Sequence, residues 1–373
     1  MRILIATDAW HPQVNGVVRS LESMAQAAQL AGAEIQFLTP QGFAAVPLPS
    51  YPEIPLAFVP PGAVAQRIAR LAPDHVHIAT EGSIGHAVRR YCRRAGRLFT
   101  TSYHTRFPEY IAARWHIPES WTYAWLRRFH NAGAGTMVPT PSIAAELGGR
   151  GFLRLMHWSR GVDQTRFRPR AESVLDLPRP IFLYAGRIAV EKNVEAFLQL
   201  DLPGTKVVAG DGPARRRLEA AYPQARFLGM QSADRLAEIY ASADVFVFPS
   251  RTDTFGNVMV EAMACGLPVA ALPVPGPLDV IGRSGAGALD EDLRAACLAA
   301  LAIPRPTALA HAKTFTWAES ARQFIGNIEA AQAASPQAKN RSFSRNGMAS
   351  RSDSAGSRGP RPGKGKGAAL ADI

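Results

Sequence analysis

Residues 181–193 read Ile181-Phe182-Leu183-Tyr184-Ala185-Gly186-Arg187-Ile188-Ala189-Val190-Glu191-Lys192-Asn193. A short β-rich apolar run ends in a glycine turn, and a helical pattern follows over Asn193–Leu200. A run without polar alternation suits a strand buried on both faces, and a helix straight after it points to a βαβ unit in a parallel sheet. The same order recurs outward. Downstream, the strand candidates Lys206–Ala209, Arg226–Leu228 and Val245–Phe248 alternate with the helical stretches Ala214–Ala221, Ser232–Ala241 and Val258–Cys265. Upstream, Arg2–Ala6, Glu34–Leu38, His75–Ile78 and Leu98–Ser102 alternate with Gly16–Ala31 and Ile84–Ala95. The pattern predicts an α/β fold with two parallel-sheet series. Arg168-Pro169, Pro178 and Pro180 interrupt it, which places the expected hinge near Arg160–Pro180. The expected domains are residues 1–165 and 166–330 of the 373, with no repeat period of the kind solenoids show.

Composition bounds the function. Hydrophobic residues make up 47 % and charged residues 19 %, enough apolar material for real cores. No stretch approaches the ~18 apolar residues of a membrane span, and the N-terminus reads as a strand instead of a secretion signal. The three cysteines, Cys92, Cys265 and Cys297, are scattered and lack histidines at ligand spacing, which disfavours disulfides and zinc and suggests a cytoplasmic setting. The net charge is 42 − 30 = +12. From Ser335 to Ile373, eight basic residues face two acidic ones, giving +6 in a Gly-, Ser- and Pro-rich segment. Residues 335–373 therefore read as a disordered basic tail. A solubilising extension is its plainest role; anionic lipid or nucleic acid are the other partners its charge allows.

In parallel sheets, ligands bind beyond the carboxyl ends of the strands, so the informative residues lie in strand-to-helix loops. The first loop, Asp8-Ala9-Trp10-His11-Pro12-Gln13-Val14-Asn15-Gly16-Val17-Val18-Arg19, has one glycine and no G-x-G-x-x-G. That argues against a nicotinamide or flavin enzyme. Gly16 at a helix start suits close approach by an anion, or simply a turn. In the second series, Arg187 and Lys192 flank a helix start, where a forked guanidinium and a point charge can both reach an anion; two solvated cations are the bland alternative. Val207-Val208-Ala209-Gly210-Asp211-Gly212-Pro213 is strand, glycine turn and a proline expected at a helix's first position.

The richest segment is Phe248-Pro249-Ser250-Arg251-Thr252-Asp253-Thr254-Phe255-Gly256-Asn257-Val258-Met259-Val260-Glu261-Ala262-Met263-Ala264-Cys265-Gly266. Asp253 falls in the loop, the helix is expected to begin near Gly256, and Glu261 lies about 7–8 Å further along its axis at ~1.5 Å per residue. A diphosphate lying on the N–H groups of Phe255–Asn257 would leave Asp253 and Glu261 to accept hydroxyl hydrogen bonds from sugars on either side. The alternatives are a helix cap for Asp253 and a helix-surface acid for Glu261.

The acid-x7-Glu spacing of Asp253 and Glu261, Gly186-Arg187-x4-Lys192-Asn193, and Ser159-Arg160-Gly161-Val162-Asp163 with Phe167-Arg168-Pro169 resemble the retaining nucleotide-sugar glycosyltransferases of family four. The resemblance spans roughly residues 2–330. It implies the GT-B architecture, two Rossmann-like domains facing across a cleft, with a final helix near Thr316–Ala331 crossing back to the first domain. The Asp8–Arg19 loop and Ser102-Tyr103-His104-Thr105-Arg106-Phe107-Pro108-Glu109-Tyr110 are similar to the bacterial branch holding GDP-mannose-dependent α-mannosyltransferases and sulfoquinovosyl or glucosyl glycolipid transferases.

By that resemblance, Arg187 and Lys192 hold the donor diphosphate, Gly16 approaches it, and Glu261 takes the ribose hydroxyls. Asp253, with the backbone of Phe255, Gly256 and Asn257, takes the transferred sugar. His104 sits beside the sugar from the opposite domain; a histidine satisfied by a backbone partner is the structural alternative. Many relatives carry Glu at the position of Asp253. The implied activity is retaining transfer of a hexose, mannose first, from a nucleotide diphosphate sugar to a lipid or glycan acceptor. A UDP-sugar-dependent glycolipid synthase is the alternative, and a sugar-nucleotide epimerase or hydrolase and a basic nucleic-acid-binding protein are more distant ones. The tail offers little aromatic interleaving beyond Phe343, so no specific nucleic acid is expected. No metal and no other cofactor is expected, the cations and helix N-termini serving instead. Arg89, Arg90, Arg93, Arg94 and Arg97, with Trp115, Trp121, Trp125, Arg127 and Arg128, suggest peripheral contact with the inner face of an anionic membrane.

Overall fold

The computed structural model describes residues 1–12, 16–48, 51–115 and 117–334. The tail expected over 335–373 and residues 13–15 of the first loop lie outside the described residues. Strands β1 (Arg2–Ala6), β2 (Glu34–Leu38), β3 (Ala45–Leu48), β4 (Tyr51–Ala57), β5 (His75–Ile78), β6 (Phe99–Ser102), β7 (Thr136–Val138) and β8 (Leu155–His157) belong to the first series. Its helices are α1 (Gly16–Leu30), α2 (Ala63–Leu71), α3 (Ser83–Arg94), α4 (Phe107–Trp115), α5 (Glu119–His130) and α6 (Pro141–Gly149). Six of these strands form a parallel sheet ordered β2-β1-β5-β6-β7-β8, while β3 and β4 pair as a separate antiparallel hairpin.

The second series holds β9 (Ile181–Ala185), β10 (Thr205–Ala209), β11 (Arg226–Gly229), β12 (Val245–Phe248), β13 (Val269–Ala271) and β14 (Gly287–Leu289). Its helices are α7 (Val194–Gln199), α8 (Arg215–Ala221), α9 (Ala233–Ser242), α10 (Asn257–Ala264), α11 (Pro277–Val280), α12 (Leu293–Ala300), α13 (Arg305–Ala312) and α14 (Trp317–Ala333). The sheet is again parallel, ordered β11-β10-β9-β12-β13-β14. Both β9 and β12 are buried along their whole length, as strands covered by helices on both faces must be. Two apolar clusters fill the two faces, one around Phe246, Met259 and Val269, the other around Phe182, Phe197 and Ala296.

The strand order of each sheet reverses once, between β1 and β5 in the first and between β9 and β12 in the second. A crevice opens where adjacent loops leave in opposite directions, and that is where ligands sit in such sheets. The loops carrying Arg187 and Asp253 flank the second reversal. Two local expectations are corrected. Lys192 closes a separate 3₁₀ turn, Val190–Lys192, because Asn193 takes a left-handed φ of 54° that separates it from α7. Pro213 precedes α8, which begins at Arg215.

Helix α14 leaves the second series and packs on the first sheet. Ala321, Phe324 and Ile328 join Ile3, Ile5, Leu21, Met24 and Trp158 in one core. The Trp158 indole N–H donates to Ser320 Oγ at 3.0 Å, and Ser320 Oγ donates to the Ser159 carbonyl at 2.8 Å. Gln323 Oε1 accepts from the Ser159 N–H at 2.8 Å. Gly161 lets the backbones meet: a Cβ there would lie 2.4 Å from the Trp317 nitrogen. Phe324 is fully buried, so Phe324→Ala is expected to cost ~3–5 kcal/mol in chemical denaturation. Arg322→Ala on the opposite face, where the side chain is 74 % exposed, should stay within about 0.5 kcal/mol. Equal effects would remove α14 from the core.

Candidate active site

The loop after β9 is pinned to the loop after β12. Asn193 Nδ2 donates to the Pro249 carbonyl at 3.1 Å, and Thr252 Oγ1 donates to the Glu191 carbonyl at 3.2 Å. Between them the Lys192 ammonium meets Asp253 Oδ1 at 2.5 Å, with about a fifth of each side chain exposed. Burial opposes the Lys192 charge, but Asp253, together with the nearby Tyr110 and Tyr184 hydroxyls, holds the ammonium above the usual lysine range. Tyr110, from α4 of the first series, hydrogen-bonds Lys192 from the other side; burial pushes its phenol up and Lys192 opposes the rise. The cation and the carboxylate thus neutralise each other. Asp253 is not a helix cap, since α10 is capped by Gly256 with no side-chain hydrogen bond. Gly256 sits at φ 85°, a conformation that favours glycine, and a Cβ would lie 2.9 Å from the Phe248 ring.

The first series faces this helix start. Asn257 Nδ2 donates to Ser20 Oγ at 2.9 Å, and a Cβ on Gly16 would stand 3.6 Å from the same nitrogen. The N-termini of α1 and α10 therefore converge, each with partial positive charge. Phe255 is buried against Phe315, with ring centroids 5.9 Å apart, so it offers the cleft its backbone and not its ring. Thr254 Oγ1 donates to the His104 carbonyl at 2.8 Å. The Ser142 N–H and hydroxyl donate to Asp279 Oδ2 and Oδ1 at 3.1 and 3.0 Å, a further tie between the two series.

Glu261 is half-buried and accepts from the Tyr240 hydroxyl at 3.4 Å, so the helix-surface reading does not hold. Burial pushes its carboxyl up, while the Arg19 guanidinium on α1 works against the shift. His104 is bound at Nδ1 by Arg160 Nη2 at 3.1 Å, a side-chain partner. Burial, then the charges of Arg160, His77 and His130, hold its pKa well below 6.5, so the ring is neutral at pH 7. The chain's one Asp-x-Asp, Asp290-Glu291-Asp292, opens α12: Asp292 Oδ1 caps the Arg294 N–H at 2.9 Å. It is used as a cap. Sequence reasoning assigned no role to Tyr110, Arg160, Arg19 or the Asn257 side chain, although all four lie inside segments already quoted for their motifs.

This is the frame of a GT-B glycosyltransferase, with loops from two Rossmann-like sheets meeting over a cation–carboxylate cluster at a helix N-terminus. Residues 14–166 match the family model described as Glycosyltransferase Family 4, and residues 179–303 match that of the Glycosyl transferases group 1. A "GDP-mannose-dependent alpha-mannosyltransferase" of Mycobacterium tuberculosis is 33 % identical over 78 % of this chain and 83 % of its own. The "Sulfoquinovosyl transferase SQD2" of Arabidopsis thaliana is 32 % identical over 66 % of this chain and 52 % of its own. Sucrose-phosphate synthase from Thermosynechococcus elongatus shares the fold with a TM-score of 0.73 at 20 % identity, covering 90 % of this chain and 100 % of that one. The chain belongs to the family-four glycosyltransferases.

Glu261 yields a signed pH prediction. Its folded pKa lies above the ordinary 4.5, so the ionised form costs stability at neutral pH and the protonated form does not. Glu261→Gln should melt higher than the parent chain at pH 7. The gain should fade as pH falls from the raised folded pKa toward the ordinary glutamate value, and be absent below that value. A lower melting temperature at pH 7 would contradict the burial argument.

Proposed function

We propose that this glycosyltransferase transfers a mannosyl residue from GDP-mannose to a lipid or glycan acceptor, with retention and without a bound metal. The observation that carries the reading is the meeting of Lys192, Asp253 and the α10 N-terminus, with Glu261 on that helix, opposite Gly16 and His104. Arg187, Lys192 and the N–H groups of Phe255, Gly256 and Asn257 hold the diphosphate, and Gly16 lets it approach α1. Glu261 accepts the ribose hydroxyls, Asp253 the mannose hydroxyls, and His104 faces the same sugar. The relative named as GDP-mannose-dependent favours this donor, and the relative named as a sulfoquinovosyl transferase supplies the alternative of a sulfoquinovosyl donor.

In this reading the acceptor hydroxyl attacks the anomeric carbon from the side the diphosphate leaves. The C–O bond to phosphate breaks as the new one forms, and a donor phosphate oxygen takes the acceptor's proton. No protein nucleophile takes part. Negative charge grows on the departing diphosphate, and a preorganised cation is worth ~10²–10³-fold there. On binding, the diphosphate replaces Asp253 as the counter-ion of Lys192, and Asp253 turns to the sugar.

The test is a thermal-shift panel of GDP-mannose, UDP-glucose and UDP-sulfoquinovose, with transfer then assayed in EDTA. GDP-mannose at 100 times its dissociation constant should stabilise by about 2.7 kcal/mol. Activity should persist in EDTA, and Lys192→Ala or Arg187→Ala should each lose on the order of 10²-fold in rate. Stabilisation by the UDP sugars alone would overturn the donor, and loss in EDTA restored by Mg²⁺ or Mn²⁺ would overturn the metal-free reading.

A peripheral site on the inner membrane face suits a lipid acceptor. Helices α3 and α5 lie side by side: Arg89 Nε and Nη2 donate to the Phe129 and Arg128 carbonyls at 3.1 and 2.8 Å. Trp121 is 72 % and Trp125 46 % exposed, beside exposed Arg90, Arg93, Arg94, Arg127 and Arg128. Aromatic edges amid cations suit an anionic headgroup layer. The full chain should sediment with phosphatidylglycerol vesicles and not with phosphatidylcholine. Changing Arg90, Arg93 and Arg94 to Ser should weaken that binding by about 1 kcal/mol each. Equal binding to both vesicles would remove the membrane from the proposal.

A further inference from the structure

The segment Ser159-Arg160-Gly161-Val162-Asp163 has no role in the reading above, yet it holds the one arginine or lysine that is fully buried among the described residues. Arg160 is 4 % exposed. Nη1 donates to the carbonyls of Trp158 and Ser159 at 2.8 and 3.2 Å, and the guanidinium lies 4.3 Å over the Trp158 ring. Nη2 faces His104 Nδ1 at 3.1 Å. Burial pulls the guanidinium pKa down to about 9, which leaves it charged at pH 7.

A guanidinium has only donors, so the His104 nitrogen that it meets must be an acceptor. The ring is then neutral, with its proton on Nε2. That nitrogen is buried and has no protein hydrogen-bond partner. The groups facing the ring from neighbouring elements are Arg160, His77 on β5, His130 on α5 and Trp158, whose ring lies 5.7 Å away. Histidines positioned for general-base work receive the opposite partner, an acceptor on Nδ1 that leaves Nε2 free to take a proton. Here the partner's polarity is reversed.

We propose that Arg160 is a positioning residue that locks His104 in its Nε2–H tautomer, so that His104 offers substrate a single hydrogen-bond donor and cannot serve as a base through Nε2. The tautomer belongs to the free protein; its use on a sugar oxygen rests on the placement of His104 proposed above. The donor character agrees with transfer in which a phosphate oxygen is the base.

The test uses the full chain labelled with ¹⁵N-histidine, the His104 signals being those absent from His104→Gln. Long-range ¹H–¹⁵N spectra at pH 7 should show Nε2 protonated and Nδ1 bare. A protonated Nδ1, as the other tautomer or as imidazolium, overturns the proposal. Arg160→Lys keeps a donor on Nδ1 and should keep the tautomer. Arg160→Met should mix the two tautomers and lower kcat by about 10-fold or more, with donor KM little changed. If Arg160→Met fails to fold, the parent and Arg160→Lys spectra decide; if it folds with tautomer and kcat unchanged, Arg160 has no positioning role. His104→Ala separates the two claims: it should lose on the order of 10²-fold in kcat. An unchanged kcat there would overturn the placement of His104 at the sugar.

Discussion

The return of α14 onto the first sheet is the constraint on which the cleft depends. Each six-stranded sheet could bury its own faces, but nothing in two separate βα series fixes the distance between their switch points. Trp158 and Phe324, packed 5.0 Å apart between centroids, join the last helix to the last segment of the first series. The Trp158–Ser320 and Ser159–Gln323 hydrogen bonds set its register. Gly161 allows the close approach, and Asn327 Nδ2 donates at 2.8 Å to the carbonyl of His157, the last residue of the edge strand β8. With that closure made, bonds as short-reaching as Thr254 to the His104 carbonyl and Asn257 to Ser20 can form between the series.

Within the cleft the electrostatics are self-cancelling in a way that suits an anionic substrate. Lys192 is too buried to stand alone, and Asp253 supplies the counter-charge. Under the proposed function an arriving diphosphate would take over that duty, with little of its binding energy spent on desolvating a bare ammonium. Glu261 is the opposite case. Its carboxylate is held in a half-buried place that pushes its pKa up, relieved in part by Arg19 from the other series. A group kept charged against its surroundings weakens the fold, and such strain marks positions kept for binding.

Much of this was legible in the sequence. Buried strands such as β9 and β12 announce themselves as unbroken apolar runs, and glycine turns followed by helical patterns located α10 and the Arg187 loop. The strands β7, β8, β13 and β14 were not legible. Each has three residues, too few for any periodicity, and β8 is only partly buried. Motif spacing brought Arg187, Lys192, Asp253 and Glu261 forward, but not the pairing of Lys192 with Asp253, 61 residues apart, or of Arg160 with His104, 56 apart. Spacing finds partners on one helix. Contacts made by a crossover appear only when the chain has folded.

The pairing of Arg160 with His104 has its mechanical origin in the closure of the cleft. Trp158, Ser159, Arg160 and Gly161 are consecutive, and three of the four engage α14. Trp158 and Gly161 meet α14, Ser159 bonds it through the backbone, and Arg160 turns the other way into the cleft. The Arg160 charge is accommodated by two carbonyls and the Trp158 face, all belonging to this segment or held by α14. A buried guanidinium without a carboxylate is costly, and its position is tolerable only while those groups stay in place. The helix that closes the cleft therefore also fixes the donor to His104 Nδ1. Loosening α14 would let the guanidinium withdraw and the imidazole tautomer drift before either sheet came apart.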